Sequence, residues 1–358
     1  MSKPKYKKPQ IPNNNVRPKP VNPVASVSPG FILSLMKSGR EYESLVANSA
    51  IAARQFDFAS EVRLAIDAIE AIRGRPLLIY AANVVNRTLV GDTGISRADD
   101  LPFNEMISDT NGNTEADFLV VTPGGEGQQV AQFVNHARKR FAFVAFLIPY
   151  MAMSAGTIWA LSGDEIWMTP QAILGPIDPQ VPGRNGQFIP AQALLATIKD
   201  IQARGDEALR SGRSPDWTDQ LLLRNIDAKE IGDVLSQSAY SIGLAKQYLM
   251  QYKFNSWLTH SSDGRLVTDD DKESTAERIA MELCSHDTWK MHSHGISREA
   301  LTSTLKLRIN HTETVPDLHQ AISRLWALMY WAFENTAVLK IMMSKNYSII
   351  RSAKVGPQ

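Results

Sequence analysis

Cysteine is almost absent from this chain: Cys284 stands alone among 358 residues. A lone thiol excludes an internal disulfide and the paired CxxC spacing of structural zinc sites. Cys284, His286, His292 and His294 crowd one loop-like stretch, but neither CxxC nor HExxH spacing supports a metal, so none is expected. An excess of one charge sign is also missing. The 38 Lys and Arg against 37 Asp and Glu leave a net charge of +1, which gives no global drive toward nucleic acid. The start, MSKPKYKKPQ, is basic but no apolar run follows it, so it does not read as a secretory signal; with the single cysteine this points to a cytoplasmic setting. Gly125-Glu126-Gly127 opens like a dinucleotide fingerprint, but Val130 stands where the third glycine belongs, so no cofactor is expected.

One long apolar run is present, from Phe141 to Leu161, about the length that spans a bilayer. Pro149 and the Ser154-Ala155-Gly156 turn break it into a buried strand and a helix start, so no membrane span is expected. Residues 1–30 hold seven prolines, six Lys or Arg and no acid, the composition of a disordered, solubilising arm, which is assigned to 1–40. Helical spacing from Glu41 to Arg73 is followed by alternation: strands at 77–82, 117–122, 142–149, 165–169 and 172–175, with helices at 97–107, 127–140 and from about 154. That order predicts an α/β fold with a parallel sheet and crossover helices. A Gly/Pro-rich loop, 181–190, leads into helices over 191–210, 216–250 and 272–285. A strand-like 307–312 precedes a last helix over 316–344. The expected division is an arm (1–40), a catalytic domain (41–250) and a mostly helical extension (251–358) used for packing or oligomerisation.

Three strand ends carry the chemistry. Thr122-Pro123-Gly124-Gly125 closes a strand and opens a helix; paired glycines let a backbone amide approach a ligand, and the helix start adds positive partial charge, as an oxyanion hole requires. Ala152-Met153-Ser154-Ala155-Gly156 follows the next strand. Small residues flank the serine as in a nucleophile elbow, with Ala152 in place of the first glycine, although serine in this position also serves as a helix cap. Leu174-Gly175-Pro176-Ile177-Asp178-Pro179-Gln180 is a rigid loop whose Asp178 can orient a base, bind a substrate amide or cap a turn.

The segments TPGGEG, MAMSAGT and LGPIDPQ, taken in that order, resemble the serine dehydrogenase proteinase family, a relative of the Clp protease and of signal peptide peptidase A type enzymes. The similarity runs from about residue 45 to 345, and the later CSHDTWKMHSHGISREAL resembles the family's C-terminal segment around a His-Asp pair. It implies a Clp-protease or crotonase-like fold of stacked β-α-β units with a helical C-terminal region, cleavage of a protein or peptide substrate, and a homo-oligomer. It implies Ser154 as nucleophile, with the Ala155 and Gly125 amides, beside Gly124, as oxyanion hole. The base stays open. Clp protease has a histidine about twenty-five residues past its serine, where this chain has Asp178. Signal peptide peptidase A types use a lysine further on, which matches Lys199 in AQALLATIKDIQAR. Lys199 borders an apolar stripe and would serve only if burial stripped its ammonium of water. His286-Asp287 is the rival pair. Two further readings share the fold: a crotonase-type acyl-CoA enzyme, which needs the amides but no serine, and an inactive scaffold.

Overall fold

A computed structural model of the chain describes residues 28–48, 57–86, 88–89, 91–110, 112–182, 188–226, 228–260 and 263–353. Most of the basic arm, 1–27, lies outside the described residues. Its last part is ordered: Phe31–Leu35 is a short helix that buries Ile32, and Met36 is buried behind it.

The central sheet is built from β1 (Leu77–Ala82), β2 (Glu115–Val121), β3 (Phe143–Ile148), β5 (Glu165–Met168), β10 (Asn310–His311), β11 (Val338–Met343) and β12 (Ser348–Ser352), in the spatial order β10-β5-β3-β2-β1-β11-β12. The pairs from β10 through β1 are parallel; β11 runs antiparallel to β1, and β12 antiparallel to β11. Crossover helices at Asp100–Ser108 and Gly127–Arg140 link the first parallel strands, as the alternation predicts. Both faces are covered, so β1 reads LLIYAA with no polar residue: Leu78 and Tyr80 face one core, while Leu77, Ile79 and Ala81 face the other. The first core is aromatic. Phe103, Phe118, Phe133 and Phe146 surround Trp159, whose ring centroid lies 5.1 Å from that of Phe133.

A second, small sheet holds the site. It consists of β4 (Met151–Ala152), β6 (Ile173–Leu174) and β9 (Ile296–Ser297), with β4 parallel to β6 and β9 antiparallel to it. Beside it the Gly/Pro-rich segment forms a hairpin of β7 (Gln180–Pro182) and β8 (Phe188–Pro190).

The C-terminal region departs from the sequence expectation. The last helix runs from Pro316 only to Asn335, and Val338–Met343 is a strand. Thr336 is already extended (φ −135°), and the β-branched Val338 and Ile341 suit a strand hydrogen-bonded on both edges. Apolarity on both faces of a buried strand resembles apolarity all round a helix, which is why periodicity misassigns it. Strands β9 to β12, all after residue 250, enter the two sheets. The candidate span at 141–161 is strand β3, strand β4 and the helix Ala155–Leu161; among the described residues no helix is long and apolar enough to cross a membrane.

Candidate active site

The site begins where β2 and β4 end side by side. Thr122 N–H donates to Met151 C=O (3.0 Å) and Met153 N–H donates to Thr122 C=O (3.0 Å), so the turn after β2 and the turn after β4 are held in register. Gly156 makes this approach possible: a Cβ there would lie 2.4 Å from Thr122 Cγ2.

Ser154 sits on the second turn at φ 53°, ψ −118°, a backbone conformation that is rare for a residue with a side chain. It precedes the helix Ala155–Leu161, yet its hydroxyl makes no capping hydrogen bond. The alternative role of a plain N-cap therefore fails, and a strained, half-buried serine remains whose Oγ has no hydrogen-bond partner among the described residues. Thr157, fully buried, locks the turn from behind: its hydroxyl accepts from Gly175 N–H (2.9 Å) and lies 2.8 Å from Ala152 C=O. Thr157 closes the MAMSAGT segment, which gave no sign of this bracing role.

Gly124 and Gly125 lie against this turn at φ 108° and 142°. A Cβ on Gly124 would meet Ser154 Cβ at 2.8 Å, and one on Gly125 would meet Ile95 C=O at 2.3 Å. Ile95 forms a short parallel bridge there: its N–H donates to Gly124 C=O (2.7 Å), and its C=O accepts from Glu126 N–H (2.8 Å). With those groups occupied, Gly125 N–H points the other way. Among the described residues neither Gly125 N–H nor Ala155 N–H, the first amide of the helix after Ser154, has a hydrogen-bond partner. Two free donors flank the serine, as stabilisation of an oxyanion requires. Gly124 supplies the turn rather than a donor, since its N–H donates to Thr122 Oγ1 (3.2 Å).

Asp178 is buried (2 % exposed) behind a cavity of about 790 Å³ onto which Ser154, Ala155, Gly125 and His292 open. Its Oδ1 lies 2.9 Å from His292 Nδ1, while its Oδ2 is buried without a partner. The two residues are 114 positions apart in sequence. Strand pairing joins them: β6 runs straight into the Gly175–Asp178 loop, and β9, which follows the His292 loop, pairs with β6 through Ile173↔Ser297 and Leu174↔Ile296. Ile177 N–H also donates to Leu283 C=O (2.9 Å), which ties the Asp178 loop to the helix Asp269–Leu283. Gly295 permits the close packing, since a Cβ there would lie 2.7 Å from Ile173 Cδ1.

Ser154, Asp178, Gly124, Gly125 and Ala155 thus gather in one place. Lys199 does not join them. It stands exposed on the helix Ala191–Arg210, outside the cavity lining, while Leu194 and Leu195 of that helix pack on Val234. The burial a basic lysine needs is missing. His286 begins the helix His286–Trp289 and is also outside the lining; its neighbour Asp287 is exposed. The histidine at the site is His292, which the sequence presented only among clustered metal-ligand types and within the segment resembling the family's C-terminal part, where the His-Asp pair drew the attention. Gln237, Tyr240 and Ser241, from the helix Ala228–Tyr248, also line the cavity, and partial desolvation raises the Tyr240 phenol above its ordinary pKa. On the opposite rim, burial pulls the Asp92 carboxyl up, but the Ser96 hydroxyl and the Lys340 ammonium outweigh it and keep Asp92 ionised below the usual range.

A strained serine, two amides without partners among the described residues and an Asp-His pair thus meet at one cavity. Residues 103–209 match the ClpP-like SDH-type serine proteinase family, in accord with the resemblance carried by TPGGEG, MAMSAGT and LGPIDPQ. Two proteins of Methanocaldococcus jannaschii are similar to parts of this chain. The uncharacterized protein MJ1495 is 36% identical over 93 residues, 26% of this chain and 30% of that protein. The uncharacterized protein MJ0137 is 33% identical over 118 residues, 33% of this chain and 36% of that protein. The chain thus spans about a third of the length of the curated relatives it matches. Among solved structures, a 1510-N membrane-bound stomatin-specific protease mutant with a substrate peptide is 25% identical, covering 34% of this chain and 57% of that chain at a TM-score of 0.24. A ClpP1 mutant from Listeria monocytogenes is 12% identical, covering 47% of this chain and 92% of that chain at a TM-score of 0.25.

Proposed function

We propose that the chain is a serine endopeptidase acting through a Ser154 acyl-enzyme, with His292 as general base and Asp178 as its orienting partner. The observation that carries this reading is the Asp178–His292 pair, 2.9 Å long, on the cavity to which the strained Ser154 opens. Asp178 accepts from His292 Nδ1–H and thereby leaves Nε2 as the basic atom of the neutral ring. Ser154 Oγ attacks the carbonyl carbon of the scissile peptide bond and His292 Nε2 takes the hydroxyl proton. The carbonyl oxygen becomes an oxyanion held by Gly125 N–H and Ala155 N–H. Collapse breaks the C–N bond, and His292 returns its proton to the leaving amine. A water, deprotonated by the same Nε2, then attacks the ester, and the proton passes back to Ser154 Oγ as the acid product leaves. His292 replaces Lys199 in this scheme because a histidine is a base near neutral pH without being stripped of water.

An acyl-CoA enzyme would use the two amides equally well but has no need of the Ser154 conformation or of the Asp178–His292 pair. A protein or peptide substrate, a homo-oligomer and no nucleic-acid partner complete the proposal. A fluorophosphonate probe that labels Ser154, mapped by mass spectrometry, with loss of casein cleavage in Ser154→Ala, is the expected outcome. Full cleavage by the Ser154→Ala protein would overturn the assignment.

A further inference from the structure

Lys340 lies on β11, in the part of the chain furthest in sequence from Ser154 among the strands that flank β1, and its side chain is 1 % exposed. A lysine this deeply buried is rare unless its charge is fully paired. Its Nζ donates to Asp99 Oδ2 (2.9 Å), to Asp92 Oδ2 (3.2 Å) and to the backbone C=O of Gly94. Asp99 is itself completely buried and anchored, by Tyr80 Oη–H (2.9 Å), Ser96 N–H (3.0 Å) and Arg351 (2.6 Å). The other two partners belong to the loop 91–96, on the rim of the cavity. Asp92 folds that loop, accepting from Gly94 N–H (3.0 Å) and from Ser96 Oγ–H (2.7 Å). Between them stands Ile95, whose N–H and C=O occupy Gly124 C=O and Glu126 N–H and so determine which way Gly125 N–H points.

We infer that Lys340, acting through Asp92 and Gly94, is a positioning residue for the oxyanion hole: it clamps the Ile95 segment against Gly124–Glu126 and so aims the Gly125 amide. The inference rests on the serine-peptidase reading of the site. Lys340 touches neither substrate nor Ser154. Without the clamp the Ile95 segment keeps its two bonds to the glycine turn and, on its Ser96 side, the bonds between Ser96 and Asp99, but its Asp92–Gly94 side is released, and Gly125, which has no side chain to limit its rotation, gains freedom to swing its N–H out of line.

The test uses the full chain and two readouts, the rate of Ser154 labelling by a fluorophosphonate and the separate kcat and KM for peptide cleavage. Asp92→Ala is the primary variant, because Asp92 is 58% exposed and its loss leaves the core intact. Lys340→Met and Lys340→Arg are its companions. The expected result is a tenfold or larger fall in kcat and in labelling rate for Asp92→Ala and Lys340→Met, with KM within about twofold and thermal unfolding of Asp92→Ala within a few degrees. Lys340→Arg should recover part of the rate, and the double variant should fall no further than the worse single one. Wild-type kcat in a folded Asp92→Ala protein overturns the clamp, as does a loss confined to KM. If Ser154→Ala and His292→Ala are inactive while Asp92→Ala is not, only the clamp fails; if Ser154→Ala retains full activity, the site reading fails and takes the clamp with it.

Discussion

Ser154 combines backbone strain with a hydroxyl that has no hydrogen-bond partner among the described residues, and the groups around it supply what a nucleophile lacks on its own. Strain of this kind costs roughly 1–3 kcal/mol and persists only where the surroundings hold it; here the Thr157 hydroxyl, the Thr122 pairing and the close approach of Gly124 do so. The two glycines are equally constrained. Gly125→Val would place a side chain within the Ile95 backbone and displace the amide, so turnover is expected to fall about 100- to 1000-fold, the usual effect of losing one oxyanion donor. Steady-state kinetics on a protein shown by circular dichroism to be folded checks this, and full activity would mean that the turn is structural only. Asp178→Asn should also be severe, because the amide favours the wrong His292 tautomer. That Ser154, Gly124, Gly125, Ala155 and Asp178 come together was legible in the sequence because each stands at a strand end among small or rigid neighbours. The place of His292 was not, since it comes from strand pairing 114 residues away from its partner, and Lys199 drew attention only by its distance from the serine.

Among the elements, the parallel strands and their helices were legible almost to the residue, because a run buried on both faces between turn signals has few other solutions. The hairpin at β7 and β8 and the strands β11 and β12 were not. The first hides in a Gly/Pro-rich stretch, and β11 continues the apolar character of the helix before it. The π-helical turn Leu249–Lys253 buries Lys253, whose Nζ donates to the Asp164 carbonyl (3.3 Å) and forms no ion pair among the described residues; burial lowers its pKa from 10.5 to about 8. Below about pH 8 both folded and unfolded chains hold the proton and the full burial penalty applies. Between pH 8 and 10.5 the folded chain releases it first, so this contribution makes stability rise with pH. Lys253→Met is therefore expected to stabilise the fold at pH 7, by at most roughly 3 kcal/mol at 1.36 kcal/mol per pKa unit, with the gain shrinking as pH rises through 8. Urea unfolding of both proteins at pH 7 and pH 9.5 measures this; equal differences at the two pH values would contradict it.

For the molecule as a whole, the C-terminal third is built into both sheets and reaches the candidate site. It supplies His292, the β9 strand that delivers it, and the two strands that extend the sheet beyond β1. The sequence pattern, which marked 251–358 as a separate helical extension, could not display pairings that join its ends to strands near residue 80. Away from the site, the helix Trp217–Arg224 exposes Trp217 (72%), Leu221 (52%) and Leu222 (53%), more apolar surface than one helix of a monomer usually leaves uncovered. A closed homo-oligomer, a trimer or a multiple of one, is expected in sedimentation at micromolar concentration; a monomer there would contradict it.

The sharpest discrimination lies between His292 and Lys199. If His292 Nε2 takes the Ser154 proton, His292→Ala should abolish fluorophosphonate labelling of Ser154 and lose several orders of magnitude in peptide turnover, while the exposed Lys199→Ala should match the wild-type protein in both. Measured side by side on folded proteins, full labelling of His292→Ala together with loss of labelling in Lys199→Ala would show that the catalytic base is not the Asp178-paired histidine.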